Sequence, residues 1–155
     1  MSDSKGKKPI TVADMVALLP ERLLPVIAEG AAAGEVVNGF ADFQHSRLLY
    51  VLDAEGRLAG VISLGRMIRH VLNSYHEPRI HSRHLLNLLG SKTAFHLMQK
   101  ETVSARLSED LEKVLRRMID NNIKEIPILD ENSKVVADLT MVDILKYYKL
   151  VDRDD

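Results

Sequence analysis

The chain of 155 residues has no cysteine. That absence excludes thiol catalysis, iron–sulfur clusters, cysteine-ligated zinc and a disulfide-stapled secreted scaffold. It fits a reducing compartment, so a cytoplasmic location is expected. The chain also lacks an excess of either charge, with 21 Lys+Arg against 22 Asp+Glu and a formal net charge of −1. Nothing therefore draws a polyanion to its surface as a whole. No window approaches the roughly 18 uninterrupted apolar residues of a membrane span. The opening MSDSKGKKPITVADMVALL puts lysines ahead of an apolar stretch, but Asp14 interrupts it and no small-residue cleavage site follows; a signal peptide is not expected. Missing too are a Gly-x-Ser-x-Gly elbow, a Gly-x-x-x-x-Gly-Lys phosphate loop, a His-Glu-x-x-His pair and a carboxylate dyad, so no enzyme is expected.

What is present is a 46% hydrophobic chain with five prolines, and a repeat. At this length about 68 to 70% of the unfolded surface can be buried, enough for a core without a staple. LLYVLDAEGRLAGVISLGRMIRHVL aligns without gaps on EIPILDENSKVVADLTMVDILKYYK. Asp53 then meets Asp130, Ser63 meets Thr140 and Arg66 meets Asp143, each 77 residues on (130 − 53, 140 − 63, 143 − 66). The chain reads as two copies of one unit.

The second copy is the clearer. Ser108 opens an acidic first turn, Leu111, Val114, Leu115 and Met118 follow at helical spacing, and the helix is expected to end near Asn121–Asn122. IPIL and KVVADL around the polar DENS read as a hairpin, with Pro127 tolerable only near a strand start or on an edge. Thr140 then opens the helix MVDILKYYK. In the first copy PVIA is a strand, AAGEVVNGFADFQ a helix, RLLYVL and RLAGVIS the hairpin, and LGRMIRHVL the closing helix. Gly34 and Gly39 each cost that first helix up to about 1 kcal/mol relative to alanine. A short helix is expected before each copy, TVADMVALL and TAFHLMQK. The first repeat is taken as residues 10–75, the linker as 76–92 and the second repeat as 93–150.

Residues 93–148 resemble a CBS domain, named for cystathionine β-synthase. The resemblance rests on the Met98 helix ahead of Thr102-Val103, the hydrophobic-Pro-hydrophobic-hydrophobic-Asp run from Ile126 to Asp130, and Thr140-x-x-Asp143. Residues 10–75 resemble a more divergent copy. The resemblance implies an α+β fold, a tandem pair or Bateman module of two β-α-β-β-α units packed about a pseudo-two-fold axis. It further implies clefts that bind adenosine-containing ligands such as AMP, ADP, ATP or S-adenosylmethionine without chemistry on them. The ligand residues it implies are Thr140 and Asp143, then Ile123, Lys124 and Glu125 beside the adenine, with Thr102 on the opening strand. Ser63 and Arg66 stand at the equivalent positions of the first repeat.

Physical chemistry supplies its own argument at Thr140 and Asp143. A helix N-terminus favours an anion such as phosphate, and a carboxylate three residues on can accept from two ribose hydroxyls. Thr-x-x-Asp is equally a capping box that needs no ligand, and the two roles are compatible. Taken by itself, Ile123 reads as ordinary core packing ahead of a ligand contact. Three positions depart from the family pattern. The usual glycine is Ala137, a usually apolar position is Asp138, whose charge opposes a phosphate, and Arg66 replaces the ribose-binding carboxylate. Arginine has no acceptor lone pair, so at most one competent site is expected.

The basic constellation Arg66, Arg69, His70, His76, Arg79, His81, Arg83 and His84 lacks a completing ligand set for His81 and His84, and it lacks interleaved aromatics beyond Tyr75. It reads as a solvated linker, with no metal and no nucleic acid expected. Apolar surface on both closing helices is expected to mark an interface, and the resemblance implies a homodimer made by helix packing about a two-fold axis. Two functions are compatible with these features: a non-enzymatic module sensing an adenosine-containing ligand, or a ligand-free dimerisation or docking module for a regulated protein partner.

Overall fold

The computed structural model describes residues 8–43, 46–75 and 92–151. Its elements are α1 (Val12–Leu18), β1 (Val26–Ala28), α2 (Ala33–Asp42), β2 (Leu48–Leu52), β3 (Leu58–Ser63), α3 (Leu64–Tyr75), α4 (Ala94–Leu97), β4 (Ala105–Arg106), α5 (Leu111–Asp120), β5 (Glu125–Leu129), β6 (Val135–Thr140) and α6 (Met141–Val151). The fold is mixed α and β, as expected, with two three-stranded sheets ordered β1-β2-β3 and β4-β5-β6.

The duplication is written into the strand registers. Leu48 pairs with Ser63 and Glu125 with Thr140, and each hairpin slips by one residue at its far end, at Val51/Leu52 and at Ile128/Leu129. In each sheet the first strand adds to the hairpin in parallel.

The compact units do not follow the sequence repeats. One comprises residues 1–22, 103–131 and 135–155, and the other residues 23–102 with 132–134. In the first unit α1 lies in the core of the second repeat: Val12 and Met15 are fully covered among Leu111, Val114, Met118, Ile126, Ile128, Leu139 and Ile144. The amides of Val12 and Ala13 donate to Glu109 and Leu107 carbonyls. Asp14, the residue that breaks the apolar stretch, closes a capping box with Thr11. In the second unit α4 does the same for the first repeat, with Ala94, Leu97 and Met98 packed among Val36, Leu49, Val51, Ile62 and Met67.

Several sequence expectations need correction. The α5 cap is Asp110, whose carboxylate accepts from Glu112 and Lys113 amides at 2.8 and 3.4 Å, rather than Ser108. The opening strand of the second repeat starts at Ala105, so Thr102 lies before it in irregular backbone. Pro127 sits in the middle strand of its sheet, not on an edge. It is accommodated because β4 is only two residues long and pairs with Ile128 and Leu129, leaving no ladder to interrupt on that side. The helix α3 continues to Tyr75 rather than ending with LGRMIRHVL. The glycine cost in α2 has a steric reason at Gly39, where a β-carbon would sit 3.0 Å from Leu49 Cδ1.

Candidate functional site

The sharpest constellation lies in the unit containing the second repeat, at the junction of β6 and α6. The β5–β6 ladder sets Thr140 opposite Glu125, and the Met141 amide donates to the Lys124 carbonyl at 2.9 Å. The Thr140 amide donates to Asp143 Oδ2 at 2.9 Å, while the Asp143 amide donates to Thr140 Oγ1 at 3.1 Å. The capping box foreseen for Thr-x-x-Asp is therefore formed, and Asp143 is buried beneath it at 7% exposure. The amides of Thr140, Met141 and Asp143 are thus engaged inside the protein, and the Thr140 hydroxyl keeps its own proton to donate.

Ile123 is fixed by the end of α5. Asn122 adopts a left-handed conformation at φ 52°, its amide donates to the Ile119 carbonyl at 3.0 Å, and the Ile123 amide donates to Met118 at 2.9 Å. This closes the helix with both bonds of a Schellman motif and turns Ile123 onto the core. The Lys124 side chain is exposed and Glu125 half-buried beside Thr140.

The residue that sequence reasoning missed is Arg22. Its guanidinium forks across two buried carboxylates: Nε donates to Asp138 Oδ1 at 2.9 Å, Nη1 to Asp143 Oδ1 at 3.1 Å, and Nη2 to both Asp143 Oδ2 at 2.7 Å and the Asp138 carbonyl at 3.0 Å. The side chains of Asp138 and Asp143 are 7% and 9% exposed, that of Arg22 34%. Asp138 in the run KVVADL was the available signal, because a buried carboxylate requires a cation. The partner was not readable, since Arg22 lies 116 residues away.

Burial is the strongest influence on both carboxyls, and it works against ionisation. At Asp138 it prevails over the attraction of Arg22, with help from the neighbouring Asp143 charge, and holds the carboxyl above its ordinary pKa. At Asp143 the hydrogen bonds from Arg22 and Thr140 together outweigh it, and the carboxyl lies below its ordinary pKa. The bond to Asp143 in turn fixes Arg22 as a permanent cation.

The other unit carries a reduced version of the same junction. Ser63 Oγ accepts from the Arg66 amide at 3.1 Å, but the reciprocal bond is missing because Arg66 has no acceptor, and its Nε instead donates to the Leu97 carbonyl at 2.8 Å. Burial and the charges of Lys92, Arg66 and Arg69 depress the pKa of His70. His76, Arg79, His81, Arg83 and His84 lie outside the described residues, as does most of the expected linker. Thr102 belongs to this unit and precedes β4. Among the described residues no group of three His, Cys, Asp or Glu could hold a metal ion, and no helix is long and apolar enough to cross a membrane.

The family model of the CBS domain matches residues 10–73 and 94–150. An uncharacterized protein of Methanocaldococcus jannaschii, MJ1225, is 28% identical over 95 residues, 61% of this chain and 34% of that protein. The chain spans about a third or less of the length of the curated relatives it matches. Among solved structures, CBSX2 in complex with AMP superposes with a TM-score of 0.71 at 20% identity, covering 92% of this chain and 98% of that one. The cytosolic domain of the Mg²⁺ channel MgtE in complex with ATP gives a TM-score of 0.58 at 26% identity, covering 79% of this chain and 44% of that one.

Proposed function

Because the chain belongs to the CBS domain family as a tandem pair, we propose that it is a non-enzymatic regulatory module whose second repeat senses an adenosine-containing ligand of the AMP, ADP, ATP or S-adenosylmethionine type. The observation that carries the reading is Asp143, a buried carboxylate held ionised at the head of α6. An anionic carboxylate is acceptor-only and suits the two neighbouring hydroxyls of a ribose. Thr140 stands one turn ahead to donate its hydroxyl proton to a phosphate or another polar group. Ile123, Lys124 and Glu125 adjoin this junction along the chain and line the adenine in this reading, Lys124 and Glu125 partly through their backbone. Thr102, expected beside them, lies in the other compact unit and is not part of this reading. Ser63 and Arg66 form the incomplete counterpart, so the reading assigns one ligand per chain. AMP and ATP complexes of similarly folded proteins support the ligand class.

The test is calorimetric titration of AMP, ADP, ATP, NAD and S-adenosylmethionine into the wild type and Asp143→Ala. Binding of one ligand per chain that Asp143→Ala weakens by about ten- to a hundred-and-fifty-fold, the worth of charge-assisted bonds of roughly 1.5 to 3 kcal/mol, supports the reading. Two equal sites, or an affinity indifferent to Asp143, refutes it.

The second reading, a ligand-free dimerisation or docking module serving a regulated partner, is favoured by one observation: the groups that would hold ligand already hold protein. Asp143 is bonded to Arg22 and Arg66 to the Leu97 carbonyl. Exposed Ile68 and Leu72 on α3, and Val142, Leu145 and Leu150 on α6, give that module apolar surface. Silence of the wild type and of every variant toward all five ligands selects it.

A further inference from the structure

The Arg22 fork bears directly on how the site at Asp143 would fill. A carboxylate offers about four lone-pair positions. On Asp143, Oδ2 already accepts twice, from Thr140 N and Arg22 Nη2, and Oδ1 accepts once, from Arg22 Nη1. One acceptor position is left, whereas two vicinal ribose hydroxyls need two. We infer that Arg22 is a built-in competitor for the ribose-binding carboxylate, a latch that must release Asp143 before an adenosine-type ligand seats. The latch rests on the adenosine-binding reading of the same site.

The surroundings of Arg22 suit a latch. Four of its five N–H donors are spent inside the fork, yet the side chain keeps 34% exposure, so the guanidinium has a path to water that the buried carboxylates lack. Asp138 holds the latch closed through the bonds from Arg22 to its carboxylate and to its backbone carbonyl. This explains a buried acid at a position where a phosphate would meet repulsion. Asp138 serves the closed state.

Arg22 also occupies a distinctive place on the chain. It lies in the irregular segment between α1 and β1, bracketed by Pro20 and Pro25, and is the last residue of one compact unit before the chain enters the other at Leu23. Release of Arg22 therefore frees the connection itself. Ligand occupancy is converted into mobility of residues 19–25, a signal that a regulatory module can pass on. The competition obeys population arithmetic: if the latch is closed K times more often than open, apparent affinity falls by a factor of 1 + K, and removing the latch restores it.

The experiment titrates adenosine, which carries no phosphate to confuse the charge balance, into the full chain. The expected result is that Arg22→Gln binds adenosine at least about tenfold more tightly than the wild type. Arg22→Lys should fall between them, because an ammonium keeps the charge but cannot fork. Hydrogen exchange on the unmodified protein needs no variant to fold: saturating adenosine should speed exchange at the Leu19 amide, which donates to the Val16 carbonyl at 3.1 Å. Equal affinities for wild type and Arg22→Gln, with Asp143→Ala weakened, overturn the latch and leave the binding site standing. Weaker binding by Arg22→Gln makes Arg22 a ligand contact and overturns the latch. Slowed exchange at Leu19 on binding does likewise. No adenosine binding by the wild type or by either Arg22 variant overturns both the latch and the site.

Discussion

Replacing Asp143 by alanine removes, in one change, the acceptor for the Thr140 amide at 2.9 Å and the two bonds from Arg22 at 2.7 and 3.1 Å. Loss of a helix cap costs about 0.5 to 2 kcal/mol. The ion pair lies between the exposed and buried limits, because Asp143 is covered while Arg22 keeps a third of its surface in water and retains Asp138. A fully buried pair broken on one side would cost roughly 3 to 5 kcal/mol and an exposed one less than about 1, so about 1 to 2 is appropriate here. The total is about 1.5 to 4 kcal/mol. In a chain of this size each kcal/mol lowers the melting temperature by about 2 to 4 °C, giving a fall of roughly 3 to 16 °C. Asp143→Asn keeps one amide oxygen for the cap and loses the charge, and should cost about half as much. Urea unfolding of the wild type, Asp143→Ala, Arg22→Ala and the double variant gives the pair its own number, an expected coupling of about 1 to 2 kcal/mol. A loss below about 0.5 kcal/mol in Asp143→Ala would refute both the cap and the fork as stabilising contacts, and additive single variants would refute the fork.

The same cluster predicts a pH signature. The folded pKa of Asp138 is raised, so ionisation of this buried acid costs stability above that pKa, and the cost disappears as pH falls toward the ordinary aspartate range. Asp143 is the reverse: its lowered pKa contributes stability above the ordinary range that is lost as pH falls through the folded value. Asp138→Asn should compare best with the wild type near pH 7 and progressively worse toward pH 4, in urea midpoints measured across that range; a constant difference would be the wrong outcome. Gly60→Ala should destabilise by about 1 to 3 kcal/mol, because a β-carbon there meets the Gln99 carbonyl oxygen at 2.6 Å and Met98 Sδ at 2.7 Å, whereas its repeat counterpart is already Ala137. An unchanged melting temperature would contradict that packing. The exposed apolar residues of α3 and α6, Ile68 at 49% and Leu145 at 68%, predict self-association that Ile68→Glu with Leu145→Glu abolishes. Sedimentation equilibrium of the wild type at micromolar concentration giving the 17.4 kDa monomer would refute it.

Much of this protein was decided locally and was therefore readable from the chain. Alternating apolar residues around DAEG and DENS dictate hairpins whose registers repeat at one spacing, because side-chain period and turn length together permit few other pairings. Thr140-x-x-Asp143 dictates its own capping box, since donor and acceptor lie within one helical turn. Asn122 ends α5 because asparagine tolerates the left-handed conformation that a Schellman motif needs. Tertiary structure alone decided the rest. The chain carries no local mark that α1 joins the core of residues 103–151, because an amphipathic turn with Val12 and Met15 fits any apolar groove of the right size, and packing selects which. Likewise, the need of Asp138 for a cation is visible in its strand. Among 21 lysines and arginines, the choice of Arg22 came from the path of the backbone after α1. That path brings one guanidinium, distant in sequence, to two carboxylates that cannot be buried without it.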